Sequence, residues 1–150
     1  MFEVKQQLYD YCQAYISKRI TTAQEAIRAS QDAANDETKS SAGDKYETGR
    51  AMMQLEMEKD NAQLAEAFKL KGQLDQIVIN KRPLSIQPGS LVITDQGNFF
   101  IALSVGQLVV ENKKYYAIST ESPIGAKLKG LKQGESFEFN TKTYKIEQVW

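Results

Sequence analysis

Asp44 and Glu47, in the run Gly43-Asp44-Lys45-Tyr46-Glu47, are the side chains of this sequence best spaced for chemistry. Carboxylates at i and i+3 of a helix share one face. Such a pair has two uses. Acids in the first turn of a helix complement its dipole, and an Asx residue followed three positions on by Glu is a capping signal. The same pair can also supply part of a Mg²⁺ site, because Mg²⁺ is commonly held by one or two carboxylates together with phosphates. On the residues alone, capping is the favoured use. Lys39, Lys45 and Arg50 surround the acids, and a cation beside a carboxylate competes with a metal for it. Asp32, Asp36 and Glu37 read as solvated charges that keep this stretch soluble.

Other chemistry is scarce. The 150 residues contain no histidine and one cysteine, Cys12. The commonest general base and metal ligand is therefore missing, and with it triads and HExxH-type sites. An internal disulfide and a multi-cysteine zinc site are excluded as well. Cys12 has no neighbour in sequence that suggests thiolate activation, so it reads as a small core residue. A composition of 41% apolar and 25% charged residues is that of a folded globular chain. There is no apolar run of membrane-spanning length and no basic-then-apolar leader, so a cytoplasmic protein with no membrane partner is expected. Residues 1–80 hold 10 Lys/Arg against 13 Asp/Glu, and residues 81–150 hold 9 against 6. Neither half has the concentrated basic face of a duplex-DNA binder.

The acid pair needs elements to position it. It sits in a polar bend, Asp36 to Arg50, between two long segments of helical period. In the first, Leu8, Cys12, Ile16, Ile20, Ala23, Ile27, Ser30 and Ala34 recur at steps of four and three. In the second, Met53, Met57, Leu64, Ala67, Leu74 and Val78 form a matching stripe with Phe68 beside it. Two such arms joined by a short bend predict an antiparallel helical hairpin, residues 1–80, whose first arm runs about 50 Å. The helix of the second arm is expected to continue to about Ile79 and to stop before Pro83.

From Ser90 the period changes to two. Strands are expected at 91–94, 99–104, 107–110, 115–120, 136–139 and 144–146, with one short helix over Pro123–Lys129. The expected fold class is α+β: a coiled-coil hairpin followed, over residues 84–150, by a small antiparallel sheet with one helix.

Several C-terminal runs then carry a resemblance: Pro88-Gly89-Ser90-Leu91-Val92, Ala117 to Gly130 with its Ser122-Pro123-Ile124-Gly125 core, Gln133 to Phe139, and Tyr144-Lys145-Ile146. Together they resemble the FKBP-like C-terminal domain of the bacterial transcript cleavage factors GreA and GreB. The layout of the N-terminal half and the Gly-Asp-x-x-Glu spacing at its bend are similar to that family too. The resemblance implies a factor that binds bacterial RNA polymerase and passes its coiled coil down the secondary channel. Asp44 and Glu47 would then help hold the polymerase's catalytic Mg²⁺ beside the 3′ end of nascent RNA. The factor would have no cofactor of its own and would not be an independent enzyme; it would act as a monomer. Glu121, Ser122 and Pro123 match the segment with which the family grips the polymerase.

After Glu47 the chain departs from the family's pattern. Thr48-Gly49-Arg50 stands where another glutamate and an aromatic residue usually follow. A channel-blocking regulator without cleavage activity is therefore an alternative outcome. A peptidyl-prolyl isomerase is a further alternative on fold analogy alone, and fold does not imply function. A coiled-coil adaptor is the plainest.

Overall fold

The computed structural model of the chain describes the backbone of residues 1–39 and 43–150, and side chains outside 37–47. Helix α1 spans Phe2–Lys39 and α2 spans Gly43–Asp75. Strands β1 (Leu91–Thr94), β2 (Asn98–Ile101), β3 (Gly106–Val110) and β4 (Lys113–Ile118) follow. Helix α3 (Pro123–Leu128) comes next, then β5 (Ser136–Phe139) and β6 (Lys142–Val149). The class is α+β, as the change of period predicts. The chain divides into two compact units. One joins Met1–Tyr15 to Gln73–Trp150, and the other is Ile16–Gly72.

The Ile16–Gly72 unit is the paired stretch of the two helices. Ile16 and Ala23 of α1 and Ala67 of α2 are buried, with Ile20, Ile27, Ala34, Met53, Met57 and Leu64 half-buried. That is the expected stripe, with one addition. Between Met57 and Leu64 the seam position is taken by Asp60, only 5% exposed, whose Oδ2 accepts a hydrogen bond from Ser30 Oγ at 3.3 Å. Phe68, expected beside the seam, is instead 49% exposed. Nearer the base, Tyr9 Oη donates to the Leu74 carbonyl at 3.1 Å. Partners fall from 74 to 60 in α2 as they rise from 9 to 30 in α1, which is the antiparallel sense.

The expected extension of α2 to Ile79 does not form. The helix closes after Asp75 with i→i+3 bonds from Gln76 N to Gln73 O and from Ile77 N to Leu74 O. Ile77-Val78-Ile79 is β-branched throughout and stiff at χ1, which suits extended backbone. Ile77 and Ile79 are half-buried while Val78 between them is 51% exposed, so the segment alternates like a strand.

In the other unit, six strands lie in the order β3-β4-β2-β1-β6-β5. Four pairings are antiparallel. The fifth, β2 with β4, is parallel (Phe99↔Tyr116, Ile101↔Ile118), so the sheet is mixed where a wholly antiparallel one was expected. The reason is topological. The β3–β4 hairpin folds back so that β4, not β3, lies beside β2, and β4 then runs in the direction of β2. Both tight hairpins place two consecutive residues at positive φ, Glu111-Asn112 and Asn140-Thr141, the backbone of a type I′ turn that matches strand twist.

The sheet is buried on both faces. On one, Val92, Phe99, Ile101, Ile146 and Val149 meet Ile86 and Leu128 of the α3 region. Residues of opposite parity, including Leu91, Phe100, Tyr115 and Ala117, are also buried. The start of α1 belongs to this unit, with Val4, Leu8 and Cys12 buried and Cys12 hydrogen-bonded to the backbone of Leu103.

Candidate partner interface

Asp44 and Glu47 fall within the bounds of α2, but their side chains lie outside the described residues, as do those of Lys39 and Lys45. Arg50, beyond them, is exposed. Among the described residues, no group of three or more Cys, Asp or Glu side chains is placed to hold a metal ion. No helix among them is long and apolar enough to cross a membrane.

The second predicted site, Glu121-Ser122-Pro123, is fully described. Ser122 is the N-cap of α3: its Oγ accepts from Gly125 N at 3.1 Å, satisfying one of the helix's free N–H groups. The same hydroxyl donates to the Ser119 carbonyl at 2.7 Å, and Ser122 N reaches that carbonyl at 3.2 Å. Pro123 occupies the first turn, where its missing N–H costs nothing. Ile124 packs on the core and Leu128 is buried in it. Gly125 is required by space, because a Cβ there would run into the Ser119 carbonyl. The Ser-Pro-Ile-Gly run therefore has a complete local cause, a capped turn closed against residue 119. Its effect is to hold Glu121 and Pro123 exposed on a rigid ledge.

Beside this ledge is an open cleft of about 350 Å³ lined by Gln73, Gln76, Ile77, Pro88, Ala102, Ser119, Thr120 and Glu121. Among the described residues, Glu121 is the only charged group lining it. Sequence reasoning missed the contribution of Gln73 and Gln76. They come from the last turn of α2 and the turn just after it, far along the chain, and no local pattern places them beside residue 121.

Three more residues stand out at the base of the same unit. Lys5 is fully buried and its Nζ donates to the Lys81 carbonyl at 3.0 Å; burial lowers its pKa to about 8. Arg82 donates from Nε to the Val149 carbonyl at 3.0 Å, and its guanidinium lies 3.9 Å from the Trp150 ring centroid. Trp150 meets Phe2 edge-on at 6.0 Å and exchanges both backbone hydrogen bonds with Leu91. These contacts tie the 76–90 segment to the start of α1 and the last strand. Cys12 is buried, and burial pushes its thiol up to about 11, in keeping with a core role.

No family model matches the chain, and no curated protein does. Among solved structures, the one described as "Structure of the transcription factor Gfh1" is similar over 94% of this chain and 92% of that one, at 18% identity and a TM-score of 0.34. A likeness at that level is too slight to bear on function.

Proposed function

We propose that this chain is a Gre-type factor of bacterial RNA polymerase, which it binds through the Glu121–Pro123 ledge. Its paired helices then enter the secondary channel. Asp44 and Glu47, at the bend, contribute to the polymerase's own Mg²⁺ site beside the RNA 3′ end, and the polymerase hydrolyses the backtracked RNA. The factor is not itself an enzyme. The observation that carries the proposal is the ledge: Ser122 and Gly125 commit the local backbone to presenting Glu121 and Pro123 outward. Pro123 also serves as a first-turn residue of α3, so Glu121 is the member of the ledge that the local turn does not require. A slender paired-helix unit with one polar seam pair also suits an element that must enter a narrow channel.

The test uses a backtracked elongation complex with the full chain. Wild type is expected to bind the polymerase and shorten the RNA from its 3′ end. Asp44→Ala combined with Glu47→Ala should keep binding and lose shortening. Glu121→Lys should weaken binding. RNA shortening that survives the double substitution would end the metal role. Binding with slowed elongation and no cleavage product would favour the channel plug, to which Arg50 and Lys45 beside the acids point.

A further inference from the structure

One face of the sheet carries an aromatic row that its cover leaves partly open. Tyr116 of β4, Phe99 of β2, Tyr144 of β6 and Phe137 of β5 follow one another with ring centroids 6.1, 6.2 and 4.9 Å apart. The last pair is stacked, its planes 6° from parallel. Phe99 is buried and braces the rings on either side. Tyr116 is 40% exposed, and Tyr144 and Phe137 are half-buried.

Register places the neighbours. On the β3–β4 side, the pair Val109↔Lys114 lies two residues from Gln107↔Tyr116, hence on the same face. On the β5–β6 side, Phe139↔Lys142 lies two residues from Phe137↔Tyr144. Lys114 and Lys142 are exposed, and Val109 is 50% exposed. Strands β4 and β6 run in the same direction, and each lysine precedes its ring by two residues, so Lys114 and Lys142 lie along one edge of the row, and no carboxylate occupies these register positions. The exposed Tyr116 and Val109 therefore share a sheet face with a line of cations along one edge.

We infer that this face is a platform for single-stranded nucleic acid, with a base stacked on Tyr116 and phosphates on Lys114 and Lys142. Sheet faces with exposed aromatic residues hold single strands in this way. Every base has a π-face to stack, and the backbone needs cations alongside. A proline-rich peptide would also use an aromatic surface, but it gains nothing from the lysines. The local charge decides between the two: the register positions beside the rings hold Lys114 and Lys142 and no carboxylate. This inference stands apart from the polymerase proposal, since it concerns the chain by itself and residues other than Glu121, Ser122 and Pro123.

The full-length chain is titrated into fluorescein-labelled short oligouridylate, oligothymidylate and a duplex control, and anisotropy is read from about 50 to about 200 mM salt. Both single strands are expected to bind in preference to duplex; the RNA and DNA arms show whether the 2′-hydroxyl adds recognition. Tyr116→Ala should weaken binding roughly 5- to 150-fold, while Tyr116→Phe keeps it. Lys114→Gln with Lys142→Gln should reduce the slope of log affinity on log salt by about 1.4, at about 0.7 for each phosphate that is no longer neutralised. Tyr116 is a surface residue, and circular dichroism of each variant checks the fold. The inference is overturned by absence of single-strand binding at about 50 mM salt, or by unchanged affinity in a folded Tyr116→Ala chain. A labelled proline-rich peptide binding in place of the oligonucleotides also overturns it.

Discussion

Replacing Lys5 by methionine should remove a rise in stability between pH 7 and 9 that the wild-type chain shows. The Lys5 side chain is fully buried, and its Nζ has the Lys81 carbonyl at 3.0 Å. Desolvation lowers its pKa from 10.5 to about 8. A lysine whose folded pKa is depressed binds fewer protons in the folded state than in the unfolded one, between the two pKa values. Stability therefore climbs as pH rises through 8 and levels off above 10.5. With 1.36 kcal/mol per pKa unit, Lys5 contributes a gain of about 1.3 kcal/mol from pH 7 to pH 9. The window stops at 9 for a reason. The Cys12 thiol, raised from 9.0 to about 11 by burial, keeps its proton in the folded state after the unfolded state has lost it. Its contribution is present below pH 9 and is lost as pH rises through 11, so above 9 it opposes Lys5. Urea unfolding at pH 7 and 9 gives both stabilities. Wild type should gain about 1.3 kcal/mol over Lys5→Met across this interval. Equal pH dependence in the two proteins would refute the buried charge.

Other substitutions probe the rest of the fold. Ser30→Ala leaves the nearly buried Asp60 carboxylate without that hydroxyl and should cost about 1–3 kcal/mol in urea unfolding. Ser30→Ala with Asp60→Leu should recover most of it, since an apolar seam replaces the polar pair. Gly125→Ala drives a Cβ into the Ser119 carbonyl and should lower the stability of the sheet unit by about 1–3 kcal/mol, measured by thermal unfolding. If the proposed function is right, the same change should also weaken polymerase binding by disturbing the ledge. Thr141 is a β-branched residue at φ 65° in the second position of a hairpin turn. Thr141→Gly should stabilise the chain by about 0.5–1 kcal/mol, seen as a higher Tm, because glycine meets no steric penalty there.

Much of this architecture was legible in the residues. The stripe from Leu8 to Ala34 needed only the helical period, because one apolar position per turn is enough to mark a buried face. The strands and the short helix opening at Pro123 followed from alternation and from local chemistry that acts within four residues. The Ser-Pro-Ile-Gly run was legible as a resemblance and as the start of a helix; the Ser122 cap and the approach of Gly125 to the Ser119 carbonyl emerged only in the folded turn. What stayed hidden depended on residues far apart in the chain. Asp60 reads as a surface carboxylate until Ser30 stands opposite it. Lys5 reads as solvated until the 76–90 segment covers it. The parallel pairing of β2 with β4 is set by which strand of the β3–β4 hairpin lies beside β2, and no strand sequence records that. The cleft beside Glu121 and the aromatic row on the sheet are likewise products of tertiary assembly. Periodicity and capping are short-range and are written in sequence. Burial of a charge and juxtaposition of distant side chains are long-range, and only the folded chain decides them.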